Sequence, residues 1–315
     1  MKIILALVSI FLLAGAFFFL RIPASEIELP EIKFEIPERP EPEIENLKKE
    51  LKSISEEIKA LPPPAPSPPP PQPPPPSAIK SSEVYEKALK AVVNILCFDN
   101  KKSSYILGSG AIIHPKGYVL TNGHLAEHFQ EPGADCQLRK GSPAKNFAKA
   151  KIIWLPDQSQ KIGTTEIPQK DAALLKITEF TQEFDYFEFE PDYNVREGEV
   201  LYSLNYPTEF LSPEIALKDA NLVFTLGAVE KLVTVDENTQ DAEGAYLKGE
   251  LSAQHGSSGG VFLEAQNGKV VGLFVGLTEG TTTASRKQFM FLSDYIDRIL
   301  RQDKGVDLLE FLENF

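Results

Sequence analysis

Between Pro62 and Pro76 every residue is proline except Ala65, Ser67 and Gln72. Proline fixes φ and lacks an N–H, so this run can enter neither a helix interior nor the middle of a sheet. It has to be extended polyproline II, a semi-rigid rod of about 3.1 Å per residue and on the order of 45 Å long. No packed domain spans such a rod, so the 62–77 linker divides the chain in two. A spacer is the reading we adopt; a ligand for a proline-reading domain is the other.

Upstream, Ile3 to Leu20 is apolar apart from the small residues Ser9 and Gly15, with Lys2 before it and Arg21 after. That length reaches the roughly 18 to 20 residues needed to cross a bilayer, so 1–21 reads as a single-pass transmembrane anchor. A cleaved signal peptide is the competing reading, because Ala14-Gly15-Ala16 resembles a cleavage site. Cleavage there would leave Phe17 to Leu20 as an exposed apolar terminus, which favours the anchor. On either reading the remainder is exported, periplasmic or extracellular. Residues 22–43 alternate Glu, Pro and Ile without a packing period, as a disordered acidic spacer does. In 44–61, Ile44, Leu47, Leu51, Ile54, Ile58 and Leu61 recur at spacings of three and four. That pattern fits a short coiled coil giving weak self-association, or a marginal single helix. The net charge of −13 argues against nucleic acid as a partner, since phosphates need basic surfaces.

Downstream, 78–315 begins with a short capped helix over Ser82 to Lys90. Short β-rich segments with turn signals between them follow: Ala91–Cys97, Ser109–Ile113, Tyr118–Thr121, Cys136–Arg139, Lys149–Trp154, Ala172–Ile177, Val200–Leu204, Asn221–Val233, Ala245–Glu250, Gly260–Glu264, Val270–Leu277 and Gln288–Leu292. Many short strands and few helices mean an all-β barrel or sandwich. Ser293 to Leu300 and Val306 to Phe315 read as closing amphipathic helices. Cys97 and Cys136 would meet an oxidising compartment and could pair, or remain two buried thiols. Neither has metal-ligand spacing, and no cofactor or metal is expected.

Three places carry chemistry. Gly256-Ser257-Ser258-Gly259-Gly260 is a glycine-flanked serine turn, able to expose a hydroxyl and to aim backbone N–H groups at one point. Thr121-Asn122-Gly123-His124 follows a strand, a Gly turn and a second strand, and sets a histidine at a helix start. Asp171 opens the apolar strand Ala172 to Ile177, where a poorly solvated carboxylate needs a proton donor such as an imidazole N–H.

These blocks, with Gly108-Ser109-Gly110, Leu201 to Pro207 and Gly227-Ala228-Val229, resemble the trypsin-like serine proteases, in particular the HtrA-type branch without a PDZ domain. The resemblance runs from about Ala91 to Asp294, and its blocks stand in family order. Spacings of 47 residues from His124 to Asp171 and 87 from Asp171 to Ser258 fit two consecutive antiparallel six-stranded β-barrels with the site between them. The resemblance implies that Ser258 attacks the scissile carbonyl, that His124 relays its proton, and that Asp171 fixes the imidazole tautomer. It also implies an oxyanion hole formed by the N–H groups of Gly256 and Ser258. Ser257 stands where many relatives carry Asp or Asn, so no ion pair to a freed amino terminus is available. Aligned on the nucleophile turn, Ser252 falls at the base of the primary pocket and His255 at its rim; an uncharged small or medium side chain is the expected preference, and His255 leaves an acidic one open.

The chain thus reads as a membrane-tethered extracytoplasmic serine endopeptidase acting on polypeptides through an acyl-enzyme. The alternative is a non-catalytic protease-fold binding or adaptor module displayed on a stalk.

Overall fold

The structure, a computed structural model, describes residues 45–46, 48–52, 79–99, 104–179, 182–236, 241–249, 254–278 and 285–314. The chain divides into two compact units, Met1–Pro71 and Gln72–Phe315. In the first, residues 45–46 and 48–52 are helical, and Leu51 is 66% exposed. The apolar run Ile3 to Leu20, the 22–43 spacer, the polyproline linker and most of the heptad seam lie outside the described residues. Among those described, no helix is long and apolar enough to cross a membrane.

The second unit opens with α1 (Ser81–Ala91), which buries Val84, Ala88 and Ala91 along one face. No serine caps it: Lys80 holds the N-cap position without a side-chain bond. Seven strands follow: β1 (Val92–Asp99), β2 (Ser104–His114), β3 (Tyr118–Thr121), β4 (Ala134–Lys140), β5 (Lys145–Ala148), β6 (Ala150–Trp154) and β7 (Ala173–Ile177). The one-turn helix α2 (Gly123–Ala126) and a 3-10 turn (Glu127–Gln130) lie between β3 and β4. The second half contains β8 (Val200–Asn205), α3 (Pro213–Lys218), β9 (Val223–Val233), β10 (Gly244–Lys248), β11 (Val261–Glu264), β12 (Val270–Leu277) and β13 (Gln288–Leu292). Helices α4 (Ser293–Lys304) and α5 (Leu308–Asn314) complete it.

The second half is a closed six-stranded barrel of order β10-β13-β12-β11-β8-β9. The first half departs from the expected matching barrel: it is a seven-stranded sheet, β5-β4-β1-β2-β3-β7-β6, not closed by a ladder. The reason is local. β5 and β6 are consecutive in the chain, yet β5 pairs with β4 and β6 with β7, so they form opposite edges. The single residue Lys149 joins them, and its carbonyl accepts both the N–H and the hydroxyl of Thr178, at 2.9 and 3.2 Å. One strand bent at Lys149 therefore closes the half covalently where a straight strand would close it by hydrogen bonds.

Side-chain alternation sorts the strands' residues into three cores. Val93, Ile95, Ile112, Val119 and Leu175 fill the first half, and Leu201, Val229, Leu247, Phe262 and Met290 fill the barrel. The opposite faces of the same strands, Val92, Leu120, Leu174, Leu204, Val261 and Leu273, join a third cluster together with α1, α4 and α5. That shared core presses the halves together, and the end of β3 lies beside the start of β7, Thr121 opposite Ala173. Cys97 and Cys136, paired across β1 and β4, form a disulfide.

Candidate active site

The end of β3 delivers Asn122 and then α2, whose second residue is His124. Asp171 immediately precedes Ala172 and β7, and its side chain is 1% exposed. Its burial is matched by two donors: the His124 backbone N–H reaches Oδ1 at 2.8 Å and the His124 ring Nδ1 reaches Oδ2 at 2.8 Å. The Asn122 amide donates to the Asp171 carbonyl at 3.0 Å, tying the two chain segments together. With Nδ1 committed to a carboxylate, the imidazole presents Nε2 as its free lone pair. Its side chain is 39% exposed, leaving the ring open towards a cleft.

Burial alone would lower the His124 pKa. The Asp171 charge and hydrogen bond, helped by Glu127 and opposed by Lys161, outweigh it, and the net shift is upward from the usual imidazole value.

The serine turn comes from the other half, just ahead of β11. Its backbone needs glycine at two points. Gly256 has φ +91°, and a Cβ there would come within 2.4 Å of Thr208 Oγ1. Gly259 has φ +82°, and a Cβ there would lie 2.0 Å from the Ser109 carbonyl oxygen. The two serines face opposite ways. Ser257 is fully buried and its hydroxyl donates to Asn205 Oδ1 at 3.0 Å. Ser258 is half-buried and lines a cleft of about 1010 Å³ together with His124, Asp171, His255, Gln158 and Arg286. Among the described residues Ser258 makes no hydrogen bond to His124.

The Gly256 and Ser258 N–H groups have no acceptor among the described residues. The neighbouring carbonyls are taken: His255 O accepts from Thr208 N–H at 2.9 Å and Ser257 O from Gly260 N–H at 2.9 Å. Because a trans peptide sets its N–H opposite its C=O, each free N–H points away from those partners. His255 is exposed and lines the cleft, while Ser252 lies outside the described residues. Among the described residues there is no cluster of metal-ligating side chains.

Two groups of residues here carried no assigned role from sequence. Ser109, fully buried on β2, clamps the turn from the first half: its N–H donates to Ser258 O at 2.7 Å and its hydroxyl to Gly256 O at 2.9 Å. Its hydroxyl also accepts from Tyr206 N–H at 2.9 Å. Gly108-Ser109-Gly110 was legible as a block, and the flanking glycines were the signal of close approach. The other group is Thr208 and Glu209, after β8, which no local pattern marks.

The family model described as "Trypsin-like peptidase domain" matches residues 108–273. No curated protein matches the chain. Two solved structures of the HtrA-type protease AlgW with tripeptide are 16% identical, with TM-scores of 0.49 and 0.50, covering 71% of this chain and 63% of theirs. The MamO protease domain from Magnetospirillum magneticum, in its apo form, is 19% identical over 70% of this chain and 98% of that one, with a TM-score of 0.45. The chain thus spans about 63% of the length of the AlgW chains. At 16% identity the likeness at a TM-score of 0.50 speaks for the fold alone, and nothing is drawn from the two below 0.5.

Proposed function

Because this chain belongs to the trypsin-like peptidase domain family, we propose that it is a serine endopeptidase whose nucleophile is Ser258. The observation that carries the reading is the doubly bonded Asp171–His124 pair opening on the same cleft as Ser258. In the proposed reaction His124 Nε2 takes the Ser258 proton as Oγ bonds to the scissile carbonyl carbon. The tetrahedral oxyanion is held by the Gly256 and Ser258 N–H groups, and Asp171 stabilises the imidazolium. The imidazolium then returns its proton to the leaving amine as the C–N bond breaks, leaving an acyl-enzyme. Water, deprotonated by the same imidazole, releases the acid.

The substrate is a polypeptide. Val275, Gly276 and Leu277 of β12 line the cleft past Val261, where antiparallel β11 begins, so the strand offers an edge for an extended peptide. His255 at the cleft rim and Ser252 at the pocket base remain the residues proposed to shape the primary subsite. Display outside the cytoplasm on a membrane-anchored stalk belongs to the same proposal. It is supported by the apolar run Ile3 to Leu20, and by the Cys97–Cys136 disulfide, since such bonds persist in oxidising compartments.

The missing Ser258–His124 hydrogen bond is the one observation that favours the second reading, a non-catalytic protease-fold binding module. Such bonds often tighten only when substrate binds. A fluorophosphonate probe decides between the two. Labelling of the unaltered chain and of Ser257→Ala, but not of Ser258→Ala, is expected. An unlabelled wild-type chain would favour the binding module.

A further inference from the structure

An oxyanion hole works only if its donors are already aimed when charge develops. Here the critical unit is the His255–Gly256 peptide. It adjoins a glycine at φ +91°, and glycine populates both signs of φ readily, so this peptide could turn over at small cost. Turned over, it would present a carbonyl where an N–H is required. Ser257 has no charge to hold the loop; its hydroxyl is bonded inward to Asn205.

The loop is gripped from another direction. Thr208 and Glu209, consecutive residues between β8 and α3, take His255 at both ends of its backbone. Thr208 N–H donates to His255 O at 2.9 Å, and His255 N–H donates to Glu209 Oε2 at 3.2 Å. Glu209 is itself held: Arg286 Nη1 donates to Oε1 at 2.9 Å and to Oε2 at 2.7 Å. The two side chains are only 18% and 20% exposed, so the pair is better shielded than a surface ion pair. Arg286 sits just ahead of β13 and lines the cleft. The two peptides that flank His255 are therefore held together: Thr208 takes the carbonyl of the His255–Gly256 peptide, and Glu209, backed by Arg286, takes the N–H of the preceding one through a charge-assisted bond of the stronger kind.

Resting on the reading of Ser258 as nucleophile, we propose that Glu209, held by Arg286, is a positioning residue that fixes the Gly256 oxyanion donor by pinning the backbone of His255. The carboxylate acts as an acceptor for a backbone N–H, and Arg286 acts through it. Neither touches the reacting atoms.

The test begins with fluorophosphonate labelling and peptide hydrolysis by the unaltered chain, followed by Glu209→Ala, Arg286→Ala, and the exchange Glu209→Arg with Arg286→Glu. In Glu209→Ala, kcat should fall about 10- to 100-fold with KM within about twofold, because the donor matters only in the transition state. Affinity for a peptide boronate, which mimics the tetrahedral adduct, should fall by the same factor. The exchange restores an ion pair but sets a donor against the His255 N–H, so kcat should stay low. If Glu209→Ala does not fold, Glu209→Gln keeps the shape and one acceptor oxygen, and its kcat should still fall below wild type, by less than about 10-fold. Wild-type kcat in the Glu209 variants, or full recovery in the exchanged pair, would overturn the proposal and leave the protease reading intact. A wild-type chain that is not acylated would overturn both.

Discussion

His124 is subject to opposing influences whose balance has a kinetic consequence. Burial disfavours its charged form, but Asp171 more than compensates, and the imidazole titrates above its usual 6.5. Only the neutral ring can take a proton from Ser258, so activity is lost as pH falls through this pKa. A raised value moves that loss to higher pH. The acid limb of kcat/KM is therefore expected above pH 6.5, and a midpoint at or below 6.5 would contradict the pairing. Asp171→Asn removes both the charge and the tautomer control, and should lower kcat by about 10⁴, the loss known for the equivalent change in the chymotrypsin-type triad. Ser257→Ala tests the opposite orientation of the two serines. It deletes one buried hydrogen bond, which should cost about 1–3 kcal/mol of stability, while peptide hydrolysis stays largely intact. The triad candidates were legible because each sits at a local signal: a glycine-flanked turn, a helix start, the head of an apolar strand. Glu209 and Arg286 were not, since their contacts span 46 and 77 residues and no periodicity records them.

Among the elements, the strands of the barrel were legible as short β-rich runs with turn signals between them, and their bounds fall close to the observed ones. β5 was missed because Lys145–Ala148 is an exposed edge with a weak apolar pattern. For the same reason the bend at Lys149 was hidden, and a seven-strand sheet was read as six strands. The serine turn is the element whose conformation is most dependent on glycine. Gly259→Ala would force an L-residue to φ +82° and drive a methyl group to 2.0 Å from a backbone oxygen of β2, which cannot move away as a side-chain tip could. Left-handed backbone alone costs about 1–2 kcal/mol, and the clash adds to it. A loss of about 2–4 kcal/mol in denaturant unfolding is expected, with hydrolysis lost in any folded fraction. An active Gly259→Ala chain of wild-type stability would mean that the turn lies elsewhere.

At the scale of the whole molecule, two cross-links of different kinds set how the chain holds together. The disulfide closes a loop of 39 residues between β1 and β4. Removing it should cost about 2–4 kcal/mol, mostly by freeing the unfolded chain, so Cys136→Ser should lower the denaturation midpoint without abolishing hydrolysis. The other, between copies, is one that we propose. Of the seam Ile44, Leu47, Leu51, Ile54, Ile58 and Leu61, only Leu51 is among the described residues, and it is 66% exposed in its helical stretch. An isolated helix this short is marginal in water. Anchored as proposed, copies would be confined to a plane at raised effective concentration, where a weak parallel association could form. A polyproline spacer between the seam and the rest of the chain would then let the seam associate without the later part doing so. The chain is therefore expected to self-associate through 44–61, with the part from Ser77 onward monomeric. Sedimentation of a chain starting at Glu26, at a high concentration that stands in for confinement by the anchor, beside one starting at Ser77 checks this: association should appear in the first and vanish in the second. If the shorter chain forms the same oligomer, the contacts lie in the catalytic unit and the seam has no part in assembly.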